Sequence, residues 1–122
     1  MDAFGFPDKT QDYPQAQGLA LSVIPWSAVF TWDLKNWQNA EITLSASTTF
    51  AAPVNVKKGR MYCIHLIQSG AGSFTVTWNA AFLNVSTVTL ETAAVSGNFL
   101  TFKATSDTTL ELIGNYTTTG VA

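Results

Sequence analysis

The chain has 122 residues, a formal net charge of -2, and charged side chains at only 11% of positions. One domain with a real core fits that length, and the slight acidic balance excludes the basic footprint of a nucleic-acid binder. One cysteine excludes an intramolecular disulfide framework. The start, rich in acids and prolines, is not a secretory leader, and no stretch reaches membrane-spanning length, so a soluble chain made in the cytoplasm, with no membrane partner, is expected.

Residues 1–26 read as an extended N-terminal arm, punctuated by Pro7, Pro14 and Pro25. Phe4, Phe6, Tyr13 and Trp26 give that arm large apolar anchors. Such anchors either grip a neighbour's surface or fold back over the edge of their own domain. The body, residues 27–114, alternates strands and turns, and Thr and Ser supply about a fifth of the chain, which favours strands over helices. Strand patterns fall at 29–32, 41–44, 50–56, 60–68, 73–78, 85–90, 99–104 and 110–114, with turns at 33–36, 57–59 and 107–108. No internal repeat of about 20 to 50 residues is evident. The expectation is an all-β fold, an antiparallel β-sandwich or jelly-roll-like barrel. Residues 115–122, rich in threonine, read as a C-terminal tail.

The most informative stretch is 60–78. Met61, Cys63, His65 and Ile67 alternate with Tyr62, Ile64, Leu66 and Gln68, so both faces of that strand are apolar and both call for cover, by a second sheet or by a neighbouring subunit. Phe74, Val76 and Trp78 alternate with threonines and a serine on the return, and Ser69-Gly70-Ala71-Gly72 between the two segments reads as a hairpin loop. Low charge also weakens the usual defence against self-association, and a homo-oligomer follows as the expectation.

The inventory of reactive groups argues against an enzyme. Cys63 and His65 share a strand face, but they sit in an apolar strand with no orienting carboxylate close in sequence. They are also the only soft or imidazole donors, too few for zinc, and no cofactor is implied. Asp107 with Glu111 is a chance carboxylate pair, better explained by solvation. Gly70-Ala71-Gly72 joins two strands and lacks the helix N-terminus of a phosphate site. Lys57, Lys58 and Arg60 cluster at one turn. Among the aromatics, Trp78 belongs with the core, whereas Trp37, in a polar run, is a possible surface contact for a partner or a sugar.

From 32 to 114 the order of residues resembles a small β domain of tailed-bacteriophage virion structural proteins, found in tail fibres, tailspikes and head or tail appendages. The likeness rests on Trp32-Asp33, Leu44, Gly59 and Tyr62, Gln68 with Gly70 and Gly72, Trp78, Phe82, and Phe99 with Phe102. It departs at Asn98, where an aspartate is common, and at 110–113, where an aromatic pair is common. The resemblance implies a virion structural protein without catalytic residues, made in the host cytoplasm. A capsid decoration or cement protein is the leading expectation, with the arm bound to the major capsid protein or other virion proteins. A tail or tail-fibre component is the alternative within that class, and a carbohydrate-binding module the alternative outside it. Symmetry on a shell or a fibre suggests a trimer.

Overall fold

In the computed structural model, which describes residues 21–87 and 90–118, the chain advances as a coil and is closed by a hairpin. The coil comprises β1 (Ser22–Val23), β2 (Val29–Phe30), β3 (Asn39–Leu44), β4 (Thr48–Phe50), β5 (Met61–Gln68) and β6 (Val76–Trp78). There follow β7 (Phe82–Leu83), a 3₁₀ turn (Val85–Thr87), β8 (Gly97–Ala104) and β9 (Leu110–Thr118). Strands β1, β3 and β5 lie side by side in one sheet and β2, β4 and β6 in a second, and every one of these neighbours is parallel. Ser22 pairs with Ala40 and Asn39 with Cys63 in the first sheet; Val29 pairs with Thr49 and Thr48 with Val76 in the second. Successive turns of the coil therefore take 18 to 28 residues. A third corner is marked by the parallel bridge between Asp33 and Val54.

The hairpin completes the first sheet. Strand β8 runs antiparallel to both β5 and β9, and β7 pairs parallel to β9 at the far edge, giving the order β1-β3-β5-β8-β9-β7. Strand β9 continues to Thr118, past the expected end of the body at 114, with a register shift between Leu112 and Gly114.

The all-β expectation holds, and no α-helix occurs among the described residues. The antiparallel sandwich or jelly roll does not: the first six strands form a β-solenoid-like coil. The difference arises at the glycine-rich turn. The free edge of β5 is taken by β8, whose Gly97 lies so close to β5 that a Cβ there would collide with the Leu66 carbonyl oxygen. The chain after β5 consequently turns a corner, through left-handed Gly72 (φ 70°) and Ser73 (φ 64°), into the second sheet. Gly72 is required twice over, since a Cβ would also stand 2.9 Å from Ala94 N and Thr92 O. The expected strand at 60–68 is thus present as Met61–Gln68 and that at 73–78 is shortened to Val76–Trp78, and the two are not paired. Segment 85–90 is not the expected strand either, for its described part opens with the 3₁₀ turn.

In-register stacking fills the coil. Phe30, Phe50 and Trp78 occupy equivalent positions on successive turns, with ring centroids 4.9 and 4.8 Å apart, and Phe82 caps the row 5.1 Å from Trp78. Trp32 and Phe102, both fully buried, meet at 5.9 Å and join the coil to the hairpin. Burying each such ring contributes about 1.5–3 kcal/mol. Two buried amides serve the interior as well. Gln68 donates to the carbonyls of Phe74 and Glu91 and accepts from the Phe74 amide, holding the corner after β5. Asn98 accepts from Glu91 N and donates to Asn115, stitching the hairpin to its flanking loop.

Candidate functional site

Strand β5 separates two environments. Tyr62, Ile64, Leu66 and Gln68 face the coil interior; Met61, Cys63, His65 and Ile67 face outward from the six-stranded sheet. Register extends this outer face into a row: Val23 on β1, Glu41 on β3, His65 on β5, Phe99 on β8 and Tyr116 on β9. Val23, Phe99 and Tyr116 are 73%, 41% and 69% exposed, and Met61 and Ile113 flank them at 56% and 51%. Scattered exposed apolar side chains are ordinary, whereas these are aligned across one sheet face.

His65 sits at the centre of that row and is nevertheless buried. The Phe99 ring stacks on it with centroids 3.8 Å apart and 15° between planes. Thr118 Oγ1 lies 3.1 Å from Nε2, and Glu41 Oε2 lies 3.8 Å from Nδ1. Burial lowers the imidazole pKa from its ordinary value, while the Glu41 charge pulls in the opposite direction. Cys63, half-buried, lies with its Sγ 3.5 Å from Thr101 Oγ1. No hydrogen bond joins Cys63 to His65, whose Nε2 is engaged by Thr118. Glu41 is the neighbouring carboxylate that proximity in sequence did not supply; parallel pairing of β3 with β5 brings it in.

The other predicted residues are separated. Phe4, Phe6 and Tyr13 lie outside the described residues. Trp26, half-buried, packs against the core of its own chain, and its buried Nε1 lacks a hydrogen-bond partner among the described residues. Trp37 is half-buried, its ring stacked on Phe30 at 6.1 Å and its carbonyl accepting from Trp32 Nε1 at 2.6 Å. Trp78, half-buried, packs against Phe50, Phe82 and Phe102 at the margin of the core. Asp107 accepts from Lys58 N and Glu111 from Asn84, so each carboxylate of that pair is engaged separately. Among the described residues no three of His, Cys, Asp and Glu converge on a point where a metal ion could be held. Phe99 and Tyr116 were missed as surface aromatics, although parity alone places Phe99 opposite to Phe102, three residues on, in a strand.

The class defined by these features is a β-solenoid-like domain. Residues 30–102 match the family described as "Putative phage tail fibre C-terminal domain". The chain belongs to that family, and with it to the structural components of the phage virion. No curated protein and no solved structure matches it.

Proposed function

We propose that the chain is a tail-fibre component of the virion, structural and not enzymatic, which self-associates through the outer face of its six-stranded sheet. The family match over residues 30–102 is the observation that carries this reading, and it favours the tail-fibre alternative over capsid decoration. Support for self-association comes from the aligned row of Val23, Phe99 and Tyr116 beside Met61, on a protein with few charges to oppose contact. A trimer suits the symmetry of a fibre. Under this reading His65 and Cys63 shape an interface and do no chemistry.

Antibody labelling of intact virions tests the location: label on the fibres supports the reading, and label spread over the head restores capsid decoration through the arm. Sedimentation of the purified chain tests the association. An oligomer that dissociates on Phe99→Glu is expected, and a monomer at every concentration would sink the interface.

A further inference from the structure

The coil brings together two corners that are far apart in sequence, residues 34–38 and 55–60, and between them leaves an open cleft of about 360 Å3. Three cationic side chains line it, Lys35, Lys57 and Arg60, half of the six Lys and Arg residues in the chain. None of the three makes an ion pair among the described residues, and no carboxylate lines the cleft. Asp33, whose charge interacts with that of Lys35, does not line the cleft, and its oxygens are occupied: Oδ1 accepts from Asn55 Nδ2 at 2.8 Å and from Lys35 N, and Oδ2 accepts from Asn36 Nδ2 at 2.8 Å. Those bonds hold its pKa below the usual carboxylate value and fix the Asn55 amide on the cleft wall. Like charges gathered around one cleft repel each other, and an anion between them relieves that repulsion.

The neutral lining is equally directional. Gln38 donates through Nε2 to the Lys35 carbonyl and Asn55 donates to Asp33, which leaves both amide oxygens as acceptors. Tyr62, 2% exposed, accepts from Lys57 N through its hydroxyl, whose own proton has no acceptor among the described residues. Leu34 and Val56 supply an apolar floor. Cations for an anionic group, acceptors for hydroxyls and an apolar floor for a ring face together describe one kind of ligand.

We propose that this cleft binds a sugar bearing an anionic group, a carboxylate or a phosphate. Arg60 engages the anion with paired N–H donors, Lys35 and Lys57 add charge, and the amide oxygens of Gln38 and Asn55 accept from ring hydroxyls. The tail-fibre reading supplies only the setting, a fibre meeting a cell-surface glycan; the cleft itself is tested on the purified chain. Virion labelling and ligand titration can therefore fail independently.

The test is a titration of the full chain, followed by NMR or calorimetry, with glucuronic acid, glucose 6-phosphate, glucose and inorganic phosphate. One or both of the charged sugars should bind, more weakly as salt is raised, and whichever binds identifies the anion as carboxylate or phosphate. Arg60→Gln should weaken that binding by roughly tenfold or more, Lys57→Gln should weaken it too, and Lys103→Gln, on β8 where it pairs with Met61 and does not line the cleft, should leave it within about twofold. Glucose binding as tightly as the charged sugars, or Arg60→Gln and Lys103→Gln having equal effects, overturns the proposal. So does inorganic phosphate binding as tightly as either charged sugar, since the amide acceptors and apolar floor would then contribute nothing.

Discussion

The coil and the hairpin are both laced by backbone hydrogen bonds, parallel in the one and antiparallel in the other, at very different separations along the chain. In the hairpin, Ala104 pairs with Leu110 across a short turn; in the coil, each strand finds its neighbour only after a full circuit of 18 or more residues. Loop closure must precede every coil contact, so the coil depends on what its interior side chains recover, whereas the hairpin forms locally. Phe102 belongs to the hairpin yet touches Trp32 and Trp78 of the coil, so the locally formed element braces the slower one.

Breaking that brace should have the largest effect. Phe102→Ala should destabilise the protein by about 3–5 kcal/mol, measured as a shift in the denaturant midpoint. One cooperative transition is expected; two separate transitions would mean that coil and hairpin are independent. Gln68→Ala acts on the corner after β5 alone, stranding buried backbone groups of Phe74 and Glu91, and should cost about 1–3 kcal/mol. Calorimetric melting of that variant measures the cost, and an unchanged melting temperature would show the amide to be dispensable.

A pair of glycine substitutions sharpens the comparison. Gly97→Ala drives a Cβ into the β5 backbone and should cost about 1–3 kcal/mol, loosening the hairpin from the coil. At Gly114, on the outer hairpin strand, a Cβ meets only the Thr101 side chain at ordinary contact distance. Gly114→Ala should therefore be neutral or stabilise by about 0.4–1 kcal/mol. Hydrogen exchange of the β8 amides should rise in the first variant and not in the second.

The smallest effect expected is on pH dependence. Burial lowers the His65 pKa in the folded state, so below the ordinary value of about 6.5 the unfolded chain takes up a proton that the folded one resists. Stability should thus fall as pH drops from about 6.5 toward the folded pKa, and His65→Gln should flatten that part of the profile. Asp33, whose pKa is also lowered, acts in a separate window: its contribution is lost only as pH falls below the ordinary carboxylate value. A melting profile of the His65 variant identical to wild type between pH 5 and 7 would place the acid sensitivity elsewhere.

Strand positions were legible because alternation is local. Residues 41–44, 60–68 and 99–104 each declare their two faces without reference to anything else. Partners were not, because nothing within 60–78 reveals that β8 will claim the edge of β5. The coil also escaped detection as a repeat: its turns differ in length, so that positions alike in kind, the rings of Phe30, Phe50 and Trp78 and the aliphatic side chains of Ile24, Ile42 and Leu66, recur at no fixed spacing. Two of the three cleft cations, Lys57 and Arg60, were visible in the cluster they form with Lys58. Lys35 was not, since it reaches the others only when the coil lays one corner beside the next. Glu41 was invisible beside His65 for the same reason.

The unequal turns carry a consequence for how such a molecule can change. Each circuit of a parallel coil advances the stack by one inter-strand spacing, about 4.8 Å, however many residues the circuit consumes. Height is thus graduated in strands, and surplus residues spill sideways at the corners. The turn bearing Lys57 and Arg60 is one such spill, lying on the longer circuit between Asn39 and Cys63. Residues added or exchanged there would alter the texture of the flank while leaving the reach of the domain and its hairpin stop untouched.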